Sequence, residues 1–147
     1  MARSTDPLAG FHFSIEVQGK IKGYFTECSG LGSEHEIIEH KVVNQRGKEV
    51  IQKIPGRIKY LDITLKRGIT SEMDAWKWRK MVEDGNVDGA RSNGTITMYN
   101  QELKPVAQWT FERAWPVKVT GPQLQTNSSN FGIEEMVLTH EGLERVS

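Results

Sequence analysis

Four histidines, one cysteine and nineteen carboxylates are the side chains here that could hold a metal or move a proton. The most suggestive run is His35-Glu36-Ile37-Ile38-Glu39-His40. A zinc protease carries His-Glu-x-x-His on a helix, where two imidazoles four residues apart share one face and the glutamate serves as base. Here residue 39 is Glu and the second histidine comes one place late. The inverted arrangement needs a histidine at 36, and that position is Glu36. The run reads as a strand, which turns His35 and His40 to opposite faces. His12 and His140 stand alone on predicted strands. Glu134 and Glu135 are adjacent, so on a strand they cannot work as a pair. Cys28, being single, excludes an internal disulfide and a cysteine-rich metal site. Gly30-Leu31-Gly32 is a turn signal without the third glycine and following helix of a phosphate cradle. There is no Gly-x-Ser-x-Gly and no P-loop. The sequons at Asn93 and Asn127 carry no weight without secretion. No enzyme chemistry, metal or cofactor is expected.

Composition narrows the classes further. Nineteen basic and nineteen acidic residues cancel over 147 residues. A neutral chain with interleaved charges has no general pull on nucleic acid or anionic membrane, and low self-repulsion suits packing against copies of itself. No basic start followed by an apolar run marks a signal peptide. No stretch approaches the roughly 20 apolar residues of a membrane span. A single domain over 1–147, made in a cytoplasm, is expected.

The elements that would position these groups are mostly strands. Residues 1–9 are polar, contain Pro7 and read as an arm. Phe11, Phe13, Ile15 and Val17 alternate with polar residues, the mark of a half-buried strand. Gln18-Gly19-Lys20 turns it into a second strand over 21–28. Strands follow at 34–43 and 49–54 around the polar turn Asn44–Lys48. Pro55-Gly56 predicts a break before a long strand over 57–67, in which Leu61, Ile63 and Leu65 share a face. Further strands are expected at 95–100, 106–115 and 131–141, with a break or bulge at Pro116 and a continuation over 117–124. Residues 86–94 carry loop chemistry. About nine strands and one helix make a mainly β fold, two packed antiparallel sheets forming a sandwich or barrel.

The helix spans about 71–84. Gly68 permits the turn into it, Ser71 with Asp74 is an acidic capping box, and Gly85 is the stop. At about 100° per residue, Trp76 and Trp78 lie roughly 160° apart. Either one wide stripe lies under a sheet, or one side packs inward and the other meets a second protein, since tryptophan favours interface anchors.

The hairpin over about 37–57 is the other two-way element. Its Val42, Val43, Val50, Ile51 and Ile54 are too diluted by charge for a core and too apolar for water. It is either an ordinary edge hairpin or an extended one that pairs with a neighbouring subunit.

Several segments, in order and at their spacing, carry a resemblance: Tyr24-Phe-Thr-Glu-Cys-Ser-Gly-Leu31, Leu65-Lys-Arg-Gly-Ile-Thr70 followed by Trp76-Lys-Trp78, Trp109-Thr-Phe-Glu-Arg-Ala-Trp-Pro116, Thr120-Gly-Pro122, and Ile133-Glu-Glu-Met-Val-Leu-Thr-His-Glu-Gly142. Over almost its whole length the chain resembles the tail-tube proteins of contractile phages and related injection systems. These are related in fold to the haemolysin-coregulated ring protein of type VI secretion. The resemblance implies two packed sheets beside one helix and six copies in a ring. Rings stack into a tube whose inner wall is a continuous barrel, and contraction of a surrounding sheath drives the tube through a target membrane. Implied partners are the chain itself, a sheath protein, baseplate and tube-terminator proteins, and cargo in the lumen, either a protein effector or DNA. A compact domain of this length is about 38 Å across, and six such spheres in a ring leave a hole on the order of 35–40 Å.

With that resemblance, Arg3 and Asp6 of the arm and Val42, Val43, Arg46, Lys48, Val50, Ile51 and Ile54 of the hairpin are expected to make contacts between rings and neighbours. Polar positions of 34–43 and 57–67 are expected to line the lumen, and Trp76, Lys77, Lys80 and Asp84 of the helix to face the sheath. The alternative from another class is a monomeric β-sandwich binding module with Trp109 or Trp115 in a ligand groove.

Overall fold

Alternation in the first strand, β1 (His12–Val17), buries Ile15 and Val17 and leaves Glu16 in solvent. A computed structural model describes residues 12–122 and 132–147. Gly19, at φ +73°, turns β1 into β2 (Ile21–Phe25), in register from Val17 opposite Ile21 to Phe13 opposite Phe25. The second expected strand does not run unbroken to residue 28. The chain leaves β1 at Thr26, whose N–H donates to the Lys66 carbonyl at 2.9 Å, and β3 (Glu27–Ser29) pairs with a different strand.

That partner is β6 (Ile63–Gly68). The long strand expected over 57–67 is two: β5 (Glu49–Tyr60) ends before Leu61-Asp62, and β6 starts after it. Leu61 therefore stays 40 % exposed, whereas Ile63 and Leu65 are fully buried. Nor does Pro55-Gly56 end a strand. β5 runs through it against β4 (Ser33–Val43), and a register shift between His35 and Ile37 absorbs the irregularity. Proline is tolerated because the strand has a free edge.

The helix α1 (Asp74–Glu83) begins later than expected. Ser71 does not cap it: the N-cap is Met73, without a side-chain cap bond, and the nearby Thr70 Oγ1 accepts from the Glu72 N–H at 3.2 Å. At the other end Gly85, at φ +88°, closes the helix with two bonds, Gly85 N–H to the Val82 carbonyl and Asn86 N–H to the Met81 carbonyl. That pair is the Schellman arrangement. The expected loop then forms a short helix, α2 (Val87–Ala90), capped by the Asn86 side chain, which accepts from the Gly89 N–H at 3.1 Å.

β7 (Ser92–Tyr99) pairs with β1 and with β8 (Pro105–Thr120). β8 is the longest strand described and joins the two layers. Its first half pairs with β7 and with β10 (Gly142–Arg145), its second half with β9 (Ile133–Thr139). Pro116 sits at a bulge, as expected, and the strand continues past it to Thr120. The paired path runs β2-β1-β7-β8-β9-β6-β3. It ends at β2 and β3 without closing, so the fold is a sandwich rather than a closed barrel. Ile15, Phe25, Ile63, Leu65, Trp78, Ile96, Phe111, Met136 and Leu138 fill the space between the layers, with α1 lying on β8. Among the described residues, the β4–β5 ribbon belongs to neither layer, and each strand pairs with the other alone. The arm, Phe11 and Leu124–Phe131 lie outside the described residues.

Candidate assembly surface

The ribbon is the surface that the described residues leave uncovered. Ten pairs hold it, from Ser33 opposite Tyr60 to Val43 opposite Glu49. At about 3.3 Å per residue it extends on the order of 40 Å. Its tip is ordered by Asn44, whose Oδ1 accepts from the N–H groups of Arg46 at 2.9 Å and Lys48 at 3.0 Å. Gly47 turns there at φ +76°.

Side chains opposite one another share a face and alternate along each strand. One face carries Ile38, His40, Val42, Val50, Gln52 and Ile54; the other carries Ile37, Glu39, Lys41, Val43, Glu49, Ile51, Lys53 and Pro55. Both faces are thus aliphatic and both are wet: Ile38 is 53 % exposed on the first, and Ile37 65 % and Val43 70 % on the second. An isolated two-stranded hairpin is marginal in water, and exposed apolar patches on this scale mark interaction sites. The hairpin positions expected to touch neighbours (Val42, Val43, Arg46, Lys48, Val50, Ile51 and Ile54) all lie on this element, while Arg3 and Asp6 lie outside the described residues. Sequence reading had not included Ile37, Ile38 and Ile58, although they share the same dilute pattern.

At its root the ribbon is held to the sandwich. The Leu61 N–H donates to the Gly32 carbonyl at 3.1 Å, and His140 Nε2 lies 3.0 Å from the Leu61 carbonyl. The His140 ring sits 5.5 Å from that of Tyr60. His140 is thus tied to the root of the ribbon. His12, His35 and His40 are exposed, and no group of three metal-ligating side chains occurs among the described residues.

On α1, Met73, Lys77, Lys80 and Asp84 form the solvent stripe, with Lys80 and Asp84 joined at 3.3 Å. Trp76 lies off that stripe. It is half-buried, and its indole N–H donates to Glu134 Oε2 at 2.8 Å. Trp78 is 1 % exposed and donates to the Ala90 carbonyl at 2.7 Å, tying α1 to α2. Both tryptophans thus pack on the body of this protomer, as one wide stripe.

The ion cluster beneath Trp76 was not anticipated. Arg67 Nε donates to Glu134 Oε1 and Arg67 Nη2 to Asp74 Oδ1, and the guanidinium lies 4.9 Å from the Phe25 ring centre. Arg67 is 6 % and Glu134 3 % exposed. Burial alone would lower the Arg67 pKa; the hydrogen bonds and charges of Asp74 and Glu134 outweigh it, so the net shift is upward. The signal was present in the alternation. Arg67 follows Ile63 and Leu65 on the inward row of β6, and Glu134 precedes Met136 and Leu138 on that of β9.

Trp109 is half-buried with the Arg145 guanidinium 5.7 Å from its ring centre, and Trp115 packs against the core. A surface cavity of about 650 Å³ is lined by Gln18, Arg91, Ser92, Asn93, Glu112 and Arg113, without either tryptophan.

Cys28 faces the core from β3, and desolvation pushes its thiol up to about 12. At pH 8 its thiolate is about a thousandfold scarcer than that of an ordinary thiol. Reaction with a disulfide reagent is expected to be slower by about that factor in the folded protein than in denaturant; equal rates would contradict this placement. Because the folded state favours the neutral thiol, this contribution to stability is intact below the ordinary thiol pKa. It fades as pH rises toward 12.

A family model described as T4-like virus tail tube protein gp19 matches residues 9–144. No curated protein matches this chain by sequence. Similar solved structures include the sheath-tube complex of PVC, an extracellular contractile injection system, in the extended state, with TM-score 0.78 and 22 % identity, covering 98 % of this chain and 94 % of that one. The tube-terminating cap of the anti-feeding prophage gives TM-score 0.77 and 19 % identity, over 100 % of this chain and 95 % of that one. Hcp1 from Flavobacterium johnsoniae gives 0.55 and 15 %, over 90 % and 93 %. At these identities the likeness is one of fold.

Proposed function

Since the chain belongs to the T4-like virus tail tube protein family, we propose that it is the inner-tube subunit of a contractile injection system or phage tail, closing into six-membered rings that stack around a cargo lumen. It acts as a structural part and not as an enzyme. Its partners are further copies of itself, a sheath protein around the outside, and baseplate and tube-terminator proteins at the ends. The particle is assembled in a bacterial cytoplasm and crosses a membrane by puncture; no helix among the described residues is long and apolar enough to span one.

The observation that carries this reading is the β4–β5 ribbon. It is aliphatic on both faces, unpaired on both outer edges by any described residue, and rooted firmly in the sandwich. A monomer gains nothing from such an element and risks aggregation through its edges. A ring in which neighbouring subunits pair with the ribbon's edges covers them, and a heterologous contact repeated around an axis gives closure. The polar stripe of α1 through Lys77, Lys80 and Asp84 then faces outward toward the sheath.

Negative-stain electron microscopy over a concentration series tests this directly, with and without candidate baseplate proteins as nuclei. Six-fold rings or hollow tubes are expected. Uniform monomers under all these conditions would overturn the reading. Deleting Asn44–Lys48 removes the ordered tip without touching the core. The variant is expected to keep its thermal transition within a few degrees but to stop at short stacks or single rings. Normal tubes from it would show that the tip has no part in stacking.

A further inference from the structure

Asn93-Gly94 is the only Asn-Gly step in the chain, and the fold requires each residue for a separate reason. Between Ser92 opposite Ala114 and Gly94 opposite Phe111, β8 carries one residue more than β7. Asn93 thus faces a bulge made by Glu112 and Arg113. Arg113 takes a left-handed backbone there, φ +52°, which bulges more often give to glycine. A bulge leaves one residue outside the ladder. Asn93 Oδ1 fills that gap by accepting from the Arg113 N–H at 2.9 Å. Gly94 is fixed by packing. A Cβ built on it would lie 2.5 Å from Phe111 Cζ and 2.6 Å from Val17 Cγ2, so the slot admits no side chain. The two needs fall on neighbouring positions. Together they make the step least hindered against attack of a backbone nitrogen on a side-chain amide.

We propose that Asn93 is a latent deamidation site, closed while β7 pairs with β8 and open once that edge separates. In the reaction the Gly94 nitrogen loses its proton to a solvent base and attacks Asn93 Cγ. The new N–Cγ bond closes a five-membered succinimide. The Cγ–Nδ2 bond breaks, and the amide nitrogen takes up a proton and leaves as ammonia. Water then opens the ring at one of its two carbonyls. Opening at Cγ gives aspartate; opening at the backbone carbonyl gives isoaspartate, with the main chain rerouted through Cβ. Water is the one co-reactant. It has access, because Asn93 is exposed and lines the surface cavity shared with Gln18, Arg91, Ser92, Glu112 and Arg113.

Pairing withholds the ring closure. The ring needs Asn93 Cβ and the Gly94 nitrogen on the same side of the Cα–C bond, and extended strand backbone holds them apart. Rotating into that geometry would break the Oδ1 bond to Arg113 and swing Gly94 out from between Phe111 and Val17. Lability therefore belongs to the opened edge. The two products behave differently on reclosure. Aspartate still offers an oxygen to the Arg113 N–H. Isoaspartate puts one more atom into the main chain before Gly94 and displaces it from its slot. A subunit that stays open at this edge is thereby marked for good.

The test incubates the wild-type protein at mildly alkaline pH, folded and in concentrated urea. Peptide mass spectrometry reads amide-to-acid conversion at each asparagine, and isoaspartyl methyltransferase labelling reads the rearranged product. In urea Asn93 is expected to convert fastest of all the asparagines. In the folded protein it is expected to convert at least about tenfold more slowly than in urea, the ratio being set by how seldom a paired edge opens. A smaller ratio, or another asparagine converting faster in urea, would overturn the proposal. Chains taken early from urea, when Asn93 alone has converted, are then refolded beside the variant Asn93→Asp, which has the same charge without the longer chain. The isoaspartyl chains are expected to melt at least about 4 °C below that variant, or to stay unfolded where it refolds. Equal melting would refute the irreversible mark.

Discussion

Gly30→Ala is expected to unfold this domain at temperatures where the wild type is stable. Gly30 sits at φ +84°, and a Cβ built on it would lie 1.9 Å from the Asp62 carbonyl oxygen and 2.9 Å from the Asp62 carbonyl carbon. Both obstacles are backbone, so no rotamer change relieves them. Asp62 cannot retreat either. It precedes Ile63, which is fully buried, and the adjoining Leu61 N–H is bonded to the Gly32 carbonyl. The left-handed backbone alone costs about 1–2 kcal/mol for a residue with a Cβ. Overpacking against fixed atoms adds roughly 1–3 kcal/mol or more. A total of about 2–5 kcal/mol is a large share of the roughly 5–15 kcal/mol that holds a domain together. In a domain of this size it lowers Tm by about 10 °C or more. Gly19→Ala and Gly47→Ala are the controls, since both glycines have positive φ but nothing within 4 Å of the built Cβ. Each should cost about 1 kcal/mol. Urea unfolding of the three variants measures the difference, and a Gly30→Ala variant no weaker than the controls would refute the close approach.

That glycine shows what could and could not be read in advance. Ser29-Gly30-Leu31-Gly32 announces a turn through composition, but its role at the joint between β3, the ribbon and β6 depends on Asp62, thirty-two residues away. Local period-2 patterning gave β1, β6, β8 and β9, because one face of each is buried and hydrophobicity reports that directly. It gave the ribbon as an anomaly, apolar yet charged. Elements set by tertiary partners were not legible. The chain changes layers at Thr26 by bonding to Lys66, and β10 exists by folding back on β8. Nothing local marks either. Pro55 looked like a terminator because proline forbids one ladder bond; a strand with an open edge and a bulge absorbs that loss. The tryptophans were ambiguous because helical angle says which side a residue takes, not how far round the sandwich reaches. Trp76 turns inward because its indole finds a buried carboxylate, and that carboxylate belongs to β9, far along the chain.

Removing the cation from that site is expected to cost nearly as much as Gly30→Ala. Arg67, Glu134 and Asp74 come from β6, β9 and α1, so their bonds fix the helix to the sheet through charges held away from water. Arg67→Met keeps the length and much of the contact with Phe25 but leaves Glu134 in a nearly closed site, with Trp76 as its remaining hydrogen-bond donor. Breaking a buried pair by taking one partner costs about 3–5 kcal/mol, because the remaining charge stays desolvated and uncompensated. Replacing both ends is a different experiment. Arg67→Met combined with Glu134→Leu removes the more deeply buried of the two stranded carboxylates and leaves only the more exposed Asp74, and such apolar exchanges are often close to neutral. The residual loss should then be about 1–3 kcal/mol, from the Trp76 N–H left without its acceptor. The ordering is the prediction: the double variant is more stable than Arg67→Met alone. The wild-type contribution from the raised Arg67 pKa is in place at neutral pH, since it is lost only as pH rises through values above the ordinary arginine pKa. Urea titrations of both variants at pH 7 decide the matter. Equal stability of single and double variants would mean that the cluster is not holding α1 to the sheet by charge.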